Sequence, residues 1–230
     1  MNAVGIVCEY NPFHLGHFHH LKKARECTEE GDVIICALSG DFVQRGEPSV
    51  ISKFARAETA LRCGSDIVIE LPSVWALQSA EGYAASALAI LSALEITALS
   101  FGVETPDFSA LKEIAELLST QIFEETLSAA IKDRNGRSYP AVREEVLRSF
   151  IGEKAEHLKQ PNNILAAEYM KVSQKNSYGF RFLPVQRTGA EHDSVSSGLV
   201  RSASEIRSMI LNGGDVSAYV PEESFRIIRR

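Results

Sequence analysis

The residues best suited to chemistry stand close to the start of the chain. His14 and His17 flank Gly16 in the run Glu9-Tyr10-Asn11-Pro12-Phe13-His14-Leu15-Gly16-His17. Three positions apart, two imidazoles share one face of a helix and can reach a single phosphate group. Gly16 has no side chain to keep a ligand away from the backbone. A protonated imidazole here can neutralise charge that builds on a phosphorus-bound oxygen, and such electrostatic stabilisation is commonly the largest contribution to catalysis. Neither histidine needs to move a proton. Two other readings stay open: a helix start that is rich in histidine by chance, and a metal pair formed with His19 and His20. No well-placed carboxylate or cysteine completes a metal set.

Such a site needs a scaffold, and the surrounding pattern supplies one. Val4 to Cys8, Val33 to Leu38, Ile67 to Leu71 and Ala98 to Phe101 are short apolar runs, as expected of strands buried on both faces in a parallel sheet. Helical patterns lie between and after them at Gly16 to Glu29, Ser52 to Cys63, Val74 to Leu94 and Ser109 to Ile131. This order predicts an α/β fold with a Rossmann-like, doubly wound parallel sheet and right-handed crossovers. Ligands bind at the carboxyl ends of such strands, where a helix N-terminus offers free N–H groups to phosphate. From Lys132 to Gln160 the strand pattern lapses. A turn at Asn135-Gly136 and a helix from Tyr139 to Phe150 suggest a helical insertion or appendage. A helix from Pro161 to Gln174, a strand from Phe180 to Val185 and a helix from Ser202 to Asn212, stopped by Gly213-Gly214, follow.

Bulk properties narrow the class. With 230 residues, 45% hydrophobic and 23% charged, the chain can bury a sizeable core, and it has no apolar run long enough to cross a bilayer. The N-terminus lacks the basic region and cleavage site of a secretory signal, so a cytoplasmic protein with no membrane partner is expected. Cys8, Cys27, Cys36 and Cys63 are too widely spaced for a zinc knuckle or a redox pair. Buried free thiols are expected, with Cys8 and Cys36 at strand ends and Cys27 and Cys63 on helices. A net charge of −6 excludes nonspecific coating of nucleic acid and leaves a local basic stripe open. Lys22, Lys23 and Arg25, or Arg226, Arg229 and Arg230, could touch RNA phosphates or form a solvated face. Trp75, Tyr83 and Phe101 are expected in the core rather than stacked on a base.

The run Asn11-Pro12-Phe13-His14-Leu15-Gly16-His17 resembles the His-x-Gly-His signature of the nucleotidyltransferase (HUP-type) superfamily, whose members hold ATP on a Rossmann-like sheet and cleave between its α- and β-phosphates. Ser202-Ala203-Ser204-Glu205-Ile206-Arg207 resembles the superfamily's Ser-Ser-x-x-Ile-Arg element, in which hydroxyls and an arginine hold the triphosphate. Ser-x-x-Glu is also the capping-box pattern, and the two readings are compatible. Further pieces are similar to the tRNA(Met) cytidine acetate ligases. They are Ser39-Gly40-Asp41-Phe42-Val43-Gln44-Arg45-Gly46-Glu47-Pro48, Lys53-Phe54-Ala55-Arg56, Glu70-Leu71-Pro72, Ser100-Phe101-Gly102, Ser138-Tyr139-Pro140, Gln160-Pro161-Asn162-Asn163-Ile164-Leu165 and Arg187.

The resemblance implies a two-step ligase. ATP and acetate give acetyl-adenylate and pyrophosphate, and the acetyl group then passes to N4 of the wobble cytidine of elongator tRNA(Met). Catalysis would fall to His14 and His17. The ATP site would comprise Val7, Cys8, Glu9, Tyr10, Asn11, Pro12, Phe13, His14, Leu15, Gly16, His17, Phe18, His19 and His20, then Gly102, Asn162 and Arg187, with Ser202, Ser204 and Arg207 on the phosphates. Magnesium is expected with ATP, and no protein carboxylate is singled out as its ligand. Gly102, after a strand, would let adenine or ribose lie against the backbone, or serve as a turn glycine. Asn162 would contact ribose or base, or act as an N-cap. Arg187 can fork onto phosphate or form a surface ion pair. The loop Gly40 to Pro48 would close over the nucleotide, meet RNA or simply connect.

The expected organisation is a first part of the ATP-binding domain at residues 1–131, a helical insertion at 132–160, and the remainder of that domain at 161–230 leading toward an RNA-binding region. Family members extend beyond this length. Two alternatives use the same motifs: an adenylyltransferase making a nucleotide cofactor from ATP and a small phosphorylated substrate, and a non-catalytic nucleotide- or RNA-binding module.

Overall fold

The structure is a computed structural model that describes residues 2–133, 135–187 and 201–230. Five strands, β1 (Ala3–Cys8), β2 (Val33–Ser39), β3 (Ile67–Leu71), β4 (Ala98–Val103) and β5 (Arg181–Gln186), form one parallel sheet in the order β3-β2-β1-β4-β5. β1 lies at the centre, with Gly5 opposite Ile35 on one side and Leu99 on the other. Order reverses between β1 and β4, which opens a crevice at their carboxyl ends.

Alternation along the central strands sends side chains to two separate cores. Val4, Ile6 and Cys8 join Ile34, Cys36, Leu38, Leu21, Ala24 and Ala60 on the face covered by α1 (Leu15–Glu26) and α2 (Lys53–Arg62). The opposite face buries Ala3, Ile35, Ala37, Leu99 and Phe101 against α4 (Ala80–Ala93), α5 (Phe108–Leu118) and α8 (Pro161–Lys175). Gly5 permits that packing, because a Cβ there would stand 2.6 Å from Ile96 Cδ1.

Two stretches expected as single helices are each broken in two. Val74 to Leu94 splits into α3 (Ser73–Ala76) and α4, whose N-cap Ser79 accepts from the Gly82 amide. Ser109 to Ile131 splits into α5 and α6 (Gln121–Lys132), whose N-cap Thr120 accepts from the Phe123 amide. In both, a capping hydroxyl offers the backbone an alternative to continuing the helix. β3 is an edge strand, so it is not buried on both faces, and Ile67 is 42% exposed. Trp75 is likewise exposed, because α3 is a four-residue turn at the sheet margin, whereas Tyr83 and Phe101 are core residues. Cys36 lies in mid-strand opposite Ile6 rather than at a strand end, and Cys27 is exposed at the C-cap of α1.

Residues 135–160 carry α7 (Tyr139–Ile151) and a 3-10 stretch (Gly152–Lys159). Val146, Leu147 and Ala155 enter the same core as α5 and α8. Arg143 on α7 also pairs with Glu168, a carboxylate buried on α8. After β5 come α9 (Ala203–Leu211), stopped at Gly213 with φ +70°, and α10 (Glu222–Ile228), which packs on α2. No helix among the described residues is long and apolar enough to cross a membrane.

Candidate functional site

A cleft of about 520 Å³ lies at the carboxyl ends of β1, β4 and β5. Its walls are the chain from Val7 to Tyr10, the start of α1, part of the loop after β2, the start of α8, the end of β5 and the start of α9. Of the residues expected at the site, Val7, Cys8, Glu9, Tyr10, His14, Gly16, His17, His19, His20, Gly102, Asn162, Arg187, Ser202, Ser204 and Arg207 line this cleft. Asn11, Pro12, Phe13, Leu15 and Phe18 do not. Asn11, Pro12 and Phe13 are buried behind the wall, where Phe13 fills the core and its carbonyl accepts from Ser224 Oγ at 2.8 Å.

His14 is the N-cap of α1 and not a residue within it. Its Nδ1 accepts from the Gly16 amide at 3.0 Å, while His17 Nδ1 accepts from the His14 amide at 3.3 Å. The rings stack with centroids 3.8 Å apart and planes 19° from parallel. A capping box normally made by serine and glutamate is here made by two histidines. Since each Nδ1 accepts a backbone proton, each neutral ring carries its own proton on Nε2. Burial, followed by the Arg187 charge, lowers His14 to about 4. His17 is held well below its usual value by burial, then by His14, Arg187 and His20, with the Pro12 carbonyl opposing. His20, bonded to Ser100 Oγ at 2.9 Å, is also lowered to about 4, by burial, Arg187 and His19. The cluster is therefore neutral at neutral pH, and His14 presents an Nε2–H donor rather than the imidazolium expected from its type.

The start of α1 offers fewer free amides than its position suggests. Leu15 N–H is taken by the Tyr219 carbonyl and Gly16 N–H by His14. Cations supply the rest of the anion-binding character. Arg187 follows β5, its amide bonded to the Val103 carbonyl, and its stem lies where a side chain on Gly102 would be, 3.4 Å from a Cβ there. Gly102 is inside β4, paired with Val185, and not in a turn. Arg207 reaches back from α9 to the Asn11 carbonyl at 3.1 Å, Glu47 at 3.2 Å and Ser204 Oγ at 3.0 Å. Ser202 caps α9 in a reciprocal box with Glu205, so the capping reading holds for a residue that also faces the cleft.

Asn162 is the second residue of α8, behind the N-cap Gln160, so it is not a cap itself. Its side-chain amide is bonded to Glu104, whose carboxylate also takes the Asn163 amide at 3.0 Å. Glu104 thus caps α8 from the loop after β4, a role with no local sequence signal, because its partners lie 58 and 59 residues away. Arg56 is a second residue whose role the sequence conceals. Fully buried, it donates to the carbonyls of Glu9, Ser39, Gly40 and Ile51, tying the ends of β1 and β2 to the loop after β2. In that loop Val43, Gln44, Arg45 and Glu47 face the cleft, and the Gln44 amide is held by Glu9 Oε1 at 2.9 Å. Tyr83, Leu165 and Tyr169 complete the wall.

Among the described residues, no three His, Cys, Asp or Glu side chains are grouped as metal ligands. A second cavity, of about 390 Å³, lies among α6, α7 and α8 and is lined in part by Arg143, Glu168 and Lys171, whose charges are paired with one another. The candidate RNA-contacting cations are largely engaged within the chain: Lys23 with Glu26, Arg25 with Asp66, Arg226 with Glu222 and Arg230 with Glu58.

The family model described as HIGH Nucleotidyl Transferase matches residues 1–230. A Syntrophotalea carbinolica protein named tRNA(Met) cytidine acetate ligase is 39% identical, over 99% of this chain and 55% of its own. A Listeria monocytogenes protein of the same name is 40% identical, over 100% of this chain and 60% of its own. The crystal structure of Thermotoga maritima TmcAL bound with alpha-thio ATP superposes with a TM-score of 0.87 at 37% identity, covering 100% of this chain and 55% of that one. Its apo form gives 0.90 at 38% identity. The chain therefore spans a little over half the length of the relatives it matches. The match along its whole length places the chain in the HIGH nucleotidyl transferase family, with the tRNA(Met) cytidine acetate ligases among the relatives it resembles.

Proposed function

We propose that the chain is the catalytic part of an ATP-dependent ligase. It activates acetate as acetyl-adenylate and passes the acetyl group to N4 of the wobble cytidine of elongator tRNA(Met). The observation that carries this reading is the cleft at the sheet's switch point, where a stacked His14–His17 pair faces Arg187, Arg201 and Arg207. Its supports are the likeness along the whole chain to relatives bearing that name and to a structure solved with alpha-thio ATP.

In the first step a carboxylate oxygen of acetate attacks the α-phosphorus of ATP, and the bond to the β-phosphate oxygen breaks. Charge grows on the α-phosphate oxygens and on the departing pyrophosphate. His14 Nε2–H donates to an oxygen of the reacting phosphate, and its neutrality at rest favours a hydrogen bond over a fixed ion pair. Arg187 and Arg207 neutralise the outgoing pyrophosphate, with Ser202 and Ser204 hydroxyls at the same helix start. Among the described residues no carboxylates are grouped as metal ligands, and magnesium held with ATP would supply further neutralisation of phosphate charge beside Arg187 and Arg207. Gly102 and Asn162, which line the same cleft, are assigned to the sugar and base. On the same reading, residues 132–160 are an insertion in a nucleotide-binding unit built from residues 1–131 and 161–230.

Release of pyrophosphate and AMP from ATP, measured with acetate and with or without elongator tRNA(Met), followed by nucleoside analysis of that tRNA, tests the proposal. Acetate-dependent turnover with N4-acetylcytidine is the expected result. Adenylyl retained on the product would assign a transferase, and absence of pyrophosphate release would refute catalysis altogether.

A further inference from the structure

Three carboxylates line the cleft among the described residues, and two are ion-paired with arginines. Glu47 is paired with Arg207 at 3.2 Å. Glu205 receives the Ser202 amide and hydroxyl and pairs with Arg201. Glu9 differs. Its Oε1 accepts the Gln44 amide at 2.9 Å, while its Oε2 has no partner among the described residues. The backbone beneath it is fixed, since the Glu9 carbonyl is held by the buried Arg56. It also stands near the Tyr83 and Tyr169 hydroxyls, both raised in pKa by burial first, with the Glu9 charge adding to each.

A carboxylate with an open oxygen repels a triphosphate and suits a partner that donates hydrogen bonds. The walls on its side, Tyr83, Tyr169, Phe101 and Leu165, are flat or apolar and suit a heterocyclic ring. Carboxylates are the usual acceptors for the exocyclic amine of cytosine. We propose that Glu9 Oε2 receives the N4 amine of the acceptor cytosine and takes its proton during acyl transfer. This rests on the ligase reading above. The amine nitrogen attacks the acyl carbonyl carbon of the acyl-adenylate, forming the C–N bond. The C–O bond to the phosphate breaks, AMP leaves with that electron pair, and Glu9 keeps the proton lost from nitrogen. Uracil presents a carbonyl oxygen at the same place, which the carboxylate repels, so the one group both activates the acceptor and selects it.

The test uses the chain with acetyl-sulfamoyl adenosine, a stable acyl-adenylate analogue, and two anticodon stem-loops that differ only in cytosine or uracil at the wobble position. The native chain should bind the cytosine stem-loop about tenfold more tightly than the uracil one. In Glu9→Gln the side-chain oxygen still accepts the Gln44 amide, but the new NH2 group favours the uracil carbonyl, so the preference should vanish or invert. Acyl transfer to the cytosine stem-loop should fall about a hundredfold further than acetate-dependent exchange of pyrophosphate into ATP. Equal binding of the two stem-loops by the native chain, binding of neither, or an unchanged preference in Glu9→Gln overturns the proposal. Equal falls in exchange and transfer overturn it too, placing Glu9 on the nucleotide or its magnesium. Absence of exchange by the native chain overturns the ligase reading instead, and the base preference still decides the role of Glu9.

Discussion

Histidines held neutral inside the site make folding stability depend on pH. His14 and His20 sit at about 4 in the folded protein, against 6.5 for an unperturbed imidazole. Lowering the pH lets the unfolded chain take up protons that the folded chain refuses, so stability falls with pH. The contribution of each ring is complete above 6.5 and is lost as pH drops through 6.5 toward 4. A shift of this size corresponds to about 3.4 kcal/mol per ring when fully expressed, of which about 2 kcal/mol is lost by pH 5. Together the two rings remove about 4 kcal/mol between pH 8 and pH 5. His17 acts in the same direction. Carboxylates with depressed pKa, such as Asp32 and Glu205, release their contributions at lower pH, outside this window. Urea unfolding at constant ionic strength across that range measures the effect, and His20→Asn should remove about half of it. A native chain that loses less than about 1 kcal/mol over the window would refute the argument that burial keeps these rings neutral. So would a His20→Asn variant with the native slope.

Arg56→Met leaves the carbonyls of Ser39 and Gly40 buried without their donor and should cost about 3–5 kcal/mol, read as a lower urea midpoint. Gly5→Ala brings a methyl against Ile96 and Leu91 and should cost about 1–3 kcal/mol by the same assay. Ser202→Ala removes the α9 cap at about 1 kcal/mol of stability, and on the ligase reading it weakens ATP binding, measured by calorimetry. Gly102→Val displaces the Arg187 stem, so ATP affinity should fall about tenfold while the thermal midpoint stays near native.

The strands were legible because β1, β2 and β4 are short apolar runs flanked by polar turns, and each lies within two residues of its expected span. Helix interruptions at Ser79 and Thr120 were not, since hydrophobic periodicity runs through both and only a local side-chain bond stops the helix. The His14 to His17 segment could be recognised because its chemistry is contiguous in sequence. Arg56, Glu104 and the contact from Glu9 to Gln44 could not, because each joins a side chain to backbone far along the chain. Burial at the sheet margins also escapes a pattern that treats every strand alike, as Ile67 shows.

The clamp on the histidine loop has a consequence for biosynthesis. Leu15 is held by the Tyr219 carbonyl, Phe13 by the Ser224 hydroxyl and Asn11 by Arg207. A ribosome releases the loop near the start of translation and its three fasteners only some two hundred residues later. A nascent chain can lay down β1 to β4 early, yet it gains the finished histidine geometry only when α9 and α10 dock.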